Sequence, residues 1–352
     1  MAWTTLRFDR GQVNAAARKL VAFQVSEGFD FELFREYNEA LPIINNWRSS
    51  HSFPLNTFRV NLDRTARRID SSCLTAQRIK RLSSITDKLV RFPQMKLSQM
   101  QDIGGCRAIV GSMEQLSELV SAYKKSQVKH SIISTDDYGA SPRLSGYRGV
   151  HLVWRYRSDK SRAYNDLKIE MQLRTALQHA WATAVETVGR FLQQALKSSI
   201  GDQPWLRFFE LMGTVIAFRE GANPVPNTPT DWQELCSEVR RYASDLDVLN
   251  RLPAFGEALQ ILEQPDVERA DYFLLQIEPG EHRVTVAGFK TNQLEVAASQ
   301  YLEIEKTIEK GGDKDAVLVS VDSVSALRRA YPNYFADTHV FIGLVREVLT
   351  CG

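Results

Sequence analysis

The sequence lacks several features that would assign it quickly to a class of protein. It has only 4 cysteines in 352 residues, with no Cys-x-x-Cys pair and no metal-ligand spacing to histidine. We therefore expect reduced thiols and no zinc in a cytoplasmic protein. No charged-then-apolar signal segment opens the chain, and no apolar run approaches membrane-spanning length. We therefore expect no membrane partner.

Two common nucleotide-binding fingerprints are also missing. The chain contains neither Gly-x-Gly-x-x-Gly nor Gly-x-x-x-x-Gly-Lys-Ser/Thr, so neither a Rossmann site nor a P-loop is predicted. The net charge is only +2, so no global field indicates nucleic-acid binding. A hydrophobic content of 43% and a charged content of 24% are those of an ordinary globular protein with one large or two modest domains.

Basic residues are concentrated in one segment. Between Arg64 and Lys96, nine lysines and arginines accompany only two acids, Asp70 and Asp87. Such a cluster is typical of a solvated face, and equally of a site that binds phosphates. Composition alone leaves both interpretations open.

Residues 168–174 alternate strictly between polar and apolar side chains, as in a half-buried strand. The polar face holds Lys168, Glu170, Gln172 and Arg174. Solvent exposure alone would explain such a face, but the preceding Gly146–Gly149 turn and His151 bring an aromatic ring, a guanidinium and an imidazole towards it. Cations, a carboxylate and an aromatic ring on one face suit a nucleotide and its phosphates.

A helix is predicted directly after this strand. Thr175 and Gln178 have the spacing of a capping box. His179, Thr183 and Glu186 then form one helical stripe, for which a surface position is the simpler interpretation, although Glu186 is placed to reach the polar strand face.

The pattern of elements predicts an α+β fold. Residues 9–53 suggest two helices with a break near Gly28. Strand patterns at 107–110, 132–133, 150–154 and 168–174, with a helix through 113–123, predict a mixed sheet. Helical spacing resumes beyond residue 190.

The last eighty residues predict a small α+β domain of their own. A hairpin is expected at 272–286, a helix from 294 to Gly311-Gly312, a strand at 316–321, a short helix from Ser323 and a final helix at about 338–349. We place the domain boundary between residues 270 and 271, giving domains of 1–270 and 271–352.

Three hexapeptides carry a resemblance to a known family. They occur in the order Asp102–Arg107 (DIGGCR), Gly146–His151 (GYRGVH) and Glu170–Thr175 (EMQLRT). Together they resemble the signatures of the RelA/SpoT-type (p)ppGpp synthetase domain, over about residues 60–190. The resemblance implies a nucleotidyltransferase-like mixed sheet flanked by helices. It also implies transfer of pyrophosphate from ATP with Mg²⁺ as the cofactor.

The resemblance also implies roles for individual residues on the ATP side. Arg78 would stack on the adenine, and Lys80 and Lys88 would bind the phosphates, which suits a planar cation and two compact ones. We assign Arg107 to the same ATP-binding set. Asp102 would hold the metal ion. Glu170 is either a second metal ligand or the general base, and the sequence does not separate these roles.

On the acceptor side the resemblance implies that Tyr147 stacks on the acceptor base. A guanine or a terminal RNA base would fit such a platform, and a buried turn tyrosine is the alternative. The remaining acceptor candidates from the two later motifs are Arg148, His151, Gln172 and Arg174.

Tyr331-Pro332-Asn333-Tyr334 near the end of the chain carries a second resemblance. A synthetase domain followed by a module with Tyr-x-x-Tyr resembles CapRel-type fused toxin–antitoxins. The implied C-terminal domain is a zinc-less pseudo-zinc-finger whose Tyr331 and Tyr334 block the ATP site, while packing or a turn is the ordinary explanation for such a pair. This resemblance implies transfer to the 3′ CCA end of tRNA, and release by a phage protein such as a major capsid protein.

Three alternatives follow from the same residues. A small alarmone synthetase acting on GDP or GTP would carry identical motifs. A catalytically inactive binding module is disfavoured because Asp102 and Glu170 are both present, and a hydrolase because no His-Asp dipeptide occurs. For the tRNA interpretation, Arg67 and Arg68 are the candidate tRNA contacts, since they lie outside the ATP-like motif.

Overall fold

The computed structural model describes residues 3–28, 30–192, 196, 201–257, 259–264, 267–307 and 314–350. The helices in this part of the chain are α1 (Arg10–Val25), α2 (Phe31–Ser50), α3 (Ser52–Ile69), α4 (Leu82–Arg91), α5 (Met113–Lys124), α6 (Ala176–Phe191), α7 (Gln203–Arg219), α8 (Trp232–Asp245), α9 (Val248–Glu257), α10 (Leu294–Thr307), α11 (Val324–Ala330) and α12 (His339–Thr350). The strands are β1 (Leu74–Ile79), β2 (Gly104–Val110), β3 (Ser131–Asp137), β4 (Val150–Arg155), β5 (Lys168–Thr175), β6 (Gln260–Glu263), β7 (Tyr272–Glu278), β8 (Arg283–Phe289) and β9 (Asp315–Ser320).

The N-terminal segment forms three helices, whereas two were predicted. Asp9 and Asp30 cap α1 and α2 with their side chains, and Gly28 has a φ of +70° at the break between them, which favours glycine. The helix missed from the sequence is α3, which begins after a single residue, His51, at the end of α2. Its polar composition obscured its apolar stripe.

A single mixed sheet of nine strands runs through the described chain in the order β3-β4-β5-β2-β1-β9-β7-β8-β6. The pairs β2–β5 and β6–β8 are parallel, and the other pairs are antiparallel. The predicted α+β class with a mixed sheet is therefore correct. Strand β1 was not predicted, because its polar Gln77 and Arg78 suggested only a basic segment.

Strand β1 joins the two halves of this sheet. It pairs with β2 along its whole length, and on its other edge Gln77 and Arg78 pair with Ser320 and Val319 of β9. The C-terminal strands therefore extend the sheet from the edge that carries Arg78.

The C-terminal elements follow the predicted order. The hairpin β7–β8, helix α10, strand β9, helix α11 with Ser323 as its cap, and helix α12 all form. The predicted helix end at Gly311-Gly312 lies outside the described residues. Strand β6 precedes residue 270 yet pairs with β8, and α12 packs with α6, α8 and α9 in one core, so the sheet and core cross the predicted boundary.

The C-terminal sheet is covered on both faces. Phe273, Leu275 and Val319 point into the same core as Tyr331 and Tyr334. The alternate residues Tyr272, Leu274 and Ala316 pack instead with Ala297 and Tyr301 of α10. Because side chains alternate along a strand, the tyrosine segment and α10 lie on opposite faces of this sheet. None of the described helices combines the length and the apolar composition needed to span a membrane.

Candidate active site

The two predicted catalytic carboxylates sit at neighbouring strands of the sheet. Asp102 immediately precedes β2, and Glu170 lies on β5, where it is opposite Gly105 of β2 in the parallel register. Both line one cavity of about 50 Å³. The other residues of this cavity are Arg78, Lys80, Gly105, Cys106, Arg107 and Gln172.

Asp102 is held by two lysines. Lys80 Nζ lies 2.9 Å from Oδ2 and Lys88 Nζ lies 3.0 Å from Oδ1. Burial would raise the pKa of Asp102, but the two ammonium groups outweigh it and the pKa is lowered. Burial also lowers the pKa of Lys80, in spite of its partner. Asp102 is therefore an ionised carboxylate among the cations assigned to the ATP phosphates.

Glu170 is held from its own sheet face. His151 Nδ1 lies 2.9 Å from Oε1, and Gln172 donates to Oε2 over 2.6 Å. Burial alone would raise the pKa of Glu170, but these hydrogen bonds and the nearby charges lower it to about 2. The predicted alternation of β5 is confirmed, since Ile169, Met171 and Leu173 are fully buried beneath this polar row.

The donor set fits a divalent magnesium ion. Two ionised carboxylates line one cavity, and carboxylate oxygens are the protein ligands that Mg²⁺ prefers.

A cavity of about 50 Å³ has room for about one or two waters, whereas sites for small ligands measure about 300–1,000 Å³. In this conformation the site is therefore closed to a nucleotide.

The acceptor-side residues form one hydrogen-bonded row across the sheet. The Tyr147 hydroxyl lies 2.6 Å from His151 Nε2 and accepts from Arg174 Nη2 over 2.6 Å, and Arg174 also donates to Gln172 Oε1 over 3.1 Å. This row links Tyr147 to Glu170 through His151. The structure thus brings together four of the five predicted acceptor residues.

Tyr147 is buried, with 4% of its surface exposed, and burial raises the pKa of its hydroxyl. The Arg174 guanidinium lies 5.1 Å from the ring centroid, and that of Arg143 lies 5.8 Å from it. Tyr138 and Trp181 meet the ring edge-on. The ring face that would stack on a base is therefore covered here.

The fifth residue, Arg148, does not join this row, and its prediction as an acceptor contact does not fit the structure. It is 2% exposed, and its guanidinium donates to the carbonyl oxygens of Gly213, Gly139 and Asn223. Gly149, with a φ of +136°, separates it from the strand residues that face the site. The local turn therefore directs Arg148 towards α7 and the loop after it.

The predicted tyrosine pair lies against the arginines assigned to ATP. Arg78 Nη1 donates to the Tyr334 hydroxyl over 2.8 Å, and the Arg107 guanidinium lies 4.8 Å from the Tyr331 ring centroid. Arg107 also donates to the carbonyl oxygen of Ala330 over 3.2 Å. If the tyrosines block the ATP site, a tyrosine ring stacked on Arg78 in place of adenine is the simplest expectation. Arg78 instead contacts Tyr334 by a hydrogen bond to its hydroxyl, and Arg107 is the arginine stacked on Tyr331.

A third arginine of this site was missed from the sequence. The Arg190 guanidinium lies 5.2 Å from the Tyr334 ring centroid. Burial would raise the pKa of Tyr334, but Arg78, Arg81 and Arg190 together lower it. Arg190 continues the stripe of His179, Thr183 and Glu186 at helical spacing, and this periodicity is the signal that would have found it. Tyr334 and, less strongly, the charge of Glu186 raise the pKa of Arg78.

The two candidate tRNA contacts behave differently. Arg67 is paired with Asp63 on its own helix and, over 2.7 Å, with Asp322 of the C-terminal part. Arg59 contacts the same Asp322. Arg68 is exposed. Asp322 therefore covers part of the basic surface of α3 in this conformation.

Comparison with known proteins agrees with the motifs at the site. Residues 77–191 match the family described as "Region found in RelA / SpoT proteins". The chain is 26% identical over 135 residues to the GTP pyrophosphokinase YwaC of Bacillus subtilis (strain 168), a match that covers 37% of this chain and 63% of that protein. It is 32% identical over 111 residues to the GTP pyrophosphokinase YjbM of the same organism, covering 30% of this chain and 51% of that protein.

Residues 77–191 are therefore similar to a RelA/SpoT region. The chain spans about half to two thirds of the length of these two relatives. The crystal structure of small alarmone synthetase 2 from Bacillus subtilis aligns with a TM-score of 0.43 and 19% identity, covering 50% of this chain and 93% of that one. The family match over residues 77–191, which include all three motifs, supports their RelA/SpoT resemblance, and the CapRel-type fusion stays a prediction.

Proposed function

We propose that this protein is an ATP-dependent pyrophosphokinase whose own C-terminal part holds it inactive. The observation that carries the proposal is the shared cavity of Asp102 and Glu170, whose other walls include the cations Arg78, Lys80 and Arg107. Two carboxylates beside clustered cations suit the transfer of a charged phosphoryl group between nucleotides.

In the proposed reaction the 3′-hydroxyl oxygen of the acceptor attacks the β-phosphorus of ATP. A new bond forms from that oxygen to phosphorus, the bond to the α-phosphate oxygen breaks, and AMP leaves. Glu170, ionised and held by His151, accepts the hydroxyl proton. Lys80 and Lys88 bind the phosphate oxygens, and Arg78 and Arg107 bind the adenine.

Asp102 is the residue that would hold Mg²⁺, and Glu170, if it is not the base, would be the second ligand. The bound ion would supply charge neutralisation on the phosphate oxygens of the donor. Lys80 and Lys88 occupy both oxygens of Asp102 in the closed conformation. Opening of the site therefore has to turn these ammonium groups from the carboxylate to the phosphates.

The proposed acceptor is a guanosine nucleotide, GDP or GTP. Two relatives of the matched region are named GTP pyrophosphokinases. Tyr147 and the row of His151, Gln172 and Arg174 would bind the base and its phosphates. Binding requires the Arg143 side chain to leave the ring of Tyr147, since that side chain lies above it here.

A second acceptor, the 3′ CCA end of tRNA, is favoured by the C-terminal contacts. Tyr331 and Tyr334 lie against Arg107 and Arg78, the arrangement implied by CapRel-type toxin–antitoxins. A translation-blocking enzyme needs such a brake until a trigger, proposed to be a phage protein such as a major capsid protein, binds the C-terminal part. Asp322 would also shield Arg59 and Arg67 from a nucleic acid.

One assay separates the acceptors. The protein carrying Tyr331→Ala and Tyr334→Ala, which opens the proposed brake, is incubated with ATP labelled at the β- or γ-phosphate and with GDP, GTP or deacylated tRNA. Label on GDP or GTP supports the first acceptor, and label on tRNA supports the second. Absence of label on all three would contradict the proposed activity.

A further inference from the structure

A buried ion pair joins the C-terminal helix α10 to the N-terminal helix α2. Arg48 Nη1 lies 2.6 Å from Oε2 of Glu305, and Arg48 Nη2 lies 2.9 Å from its Oε1. The Tyr301 hydroxyl contacts both side chains. Arg48 is 2% exposed and Glu305 is 7% exposed, so the pair is shielded from water.

The Arg48–Glu305 pair also forms hydrogen bonds with the turn that carries Lys80. Arg48 Nε donates to the carbonyl oxygen of Lys80 over 3.1 Å, while the backbone N–H of Leu82 donates to Glu305 Oε1 over 3.1 Å. Leu82 is the first residue of α4, and its preceding residue, Arg81, provides no side-chain cap. The Glu305 carboxylate of α10 therefore caps the N-terminus of α4, although the two helices are far apart in the sequence.

This contact and the tyrosine contact act from opposite faces of one sheet. The tyrosines share a core with Phe273 and Val319, whereas α10 packs on Tyr272 and Leu274. Between them, β9 pairs with β1 beside Arg78. If the C-terminal strands rotated about the β1–β9 pairing so that one contact opened, the contact on the other face would be compressed. Rotation about this pairing alone therefore releases neither contact.

We infer that Arg48 and Glu305 form a second lock, which together with the tyrosine pair clamps the C-terminal part onto the ATP site from both faces of the sheet. The inference rests on the proposed inhibition by the C-terminal part and adds a contact that no motif contains. Release then requires separation of β9 from β1, or the loss of one lock.

The electrostatics suit a reversible lock. Burial alone would lower the pKa of Arg48, but Glu305 and Tyr301 outweigh it and the pKa is raised, so Arg48 stays charged in the closed state. Desolvation offsets most of the attraction within a buried pair, and both groups regain water when α10 leaves. Removal of one partner destabilises the closed state more, because the other charge is then buried without a countercharge. The open state has no such cost, since the remaining charge is in water there.

This asymmetry defines the test. Glu305→Gln leaves Arg48 buried without a countercharge, so it should shift the full-length protein towards the open state. The double variant Arg48→Met with Glu305→Met removes both charges and should restore closure. The matched control is Glu295→Gln, a charge removal at an exposed position of the same helix.

Two readouts are measured on the full chain. Hydrogen exchange at the backbone amides where β1 pairs with β9, at Arg78 and Val319, reports closure without depending on the Glu305 side chain itself, and the affinity for a non-hydrolysable ATP analogue reports the site. Glu305→Gln should raise both by about tenfold or more, the double variant should return both towards wild type, and the control should change neither.

Wild-type exchange at the β1–β9 pairing in Glu305→Gln would overturn the inference. So would faster exchange with unchanged analogue affinity, or failure of the double variant to restore closure, since a merely structural defect would not be rescued. Hydrogen exchange at the β1–β9 pairing does not depend on catalysis. Failure of the second-lock inference is therefore distinguishable from failure of the proposed activity, which the labelled-phosphate assay tests.

Discussion

Arg78 Nη1 donates to the hydroxyl oxygen of Tyr334 over 2.8 Å, although 256 residues separate them in the chain. The pairing of Arg78 with Val319 in β1 and β9 brings these distant segments together. Charge-assisted hydrogen bonds of this kind are stronger than neutral ones, and burial strengthens them further. The proposed adenine arginine is therefore bound by the protein itself before any nucleotide arrives.

Asp102→Asn and Glu170→Gln should each reduce pyrophosphate transfer by roughly 10²–10⁴-fold, because each removes one charge from the metal and proton-transfer site at nearly constant volume. The measurement is made in the Tyr331→Ala, Tyr334→Ala background, where the proposed brake is open. Glu118→Gln, at an exposed carboxylate on α5, is the matched control. Unchanged transfer in either site variant would refute its assigned role.

Glu170 should make stability depend on pH in the acid range. Its pKa is about 2 in the folded protein against an ordinary value of 4.5. The stabilisation, on the order of 3 kcal/mol, is therefore complete above about pH 4.5 and is lost as the pH falls towards 2. Unfolding free energies of wild type and Glu170→Gln, compared between about pH 3 and pH 6, should converge at the acid end. A difference that does not vary with pH would contradict the low pKa.

Arg148→Met should destabilise the fold without acting on the acceptor directly. The variant leaves the carbonyl oxygens of Gly213, Gly139 and Asn223 without their donor, at a cost of about 1–3 kcal/mol in unfolding free energy. Urea unfolding measures this cost, with the exposed Arg64→Met as a control. A raised KM for the acceptor at unchanged stability would restore Arg148 to the acceptor site.

Arg67→Ala with Arg68→Ala tests the tRNA acceptor. If these arginines bind tRNA phosphates, the double variant in the open background should weaken tRNA modification and reduce the slope of log affinity against log salt by about 1 per lost contact. ATP-analogue affinity should change little, because neither residue lines the cavity. Unchanged modification of tRNA, or label only on GDP or GTP, would favour the guanosine nucleotide.

Local sequence patterns predicted much of the candidate site. They could not show which distant segments pair in the fold. The alternation of β5 and the capping box at Thr175 depend on near neighbours, so their residues were found directly. Strand β1 was missed because its polar Gln77 and Arg78 suggested only a basic segment, and its pairing with β9, far along the chain, leaves no local pattern. Arg48 and Glu305 were missed for the same reason, since neither belongs to a motif and only the fold brings them together.

The most direct test of the central claim is the affinity of the full chain for a non-hydrolysable ATP analogue, measured by calorimetry. Tyr334→Phe removes the hydroxyl that binds Arg78 but keeps the ring. A hydrogen bond to a charged group contributes about 1.5–3 kcal/mol, so the analogue should bind roughly 10–100-fold more tightly. Tyr331→Ala with Tyr334→Ala should bind more tightly still, and Tyr242→Phe, remote from the site on α8, should bind as wild type does. Equal affinities of wild type and both site variants would contradict closure of the ATP site by the tyrosine pair.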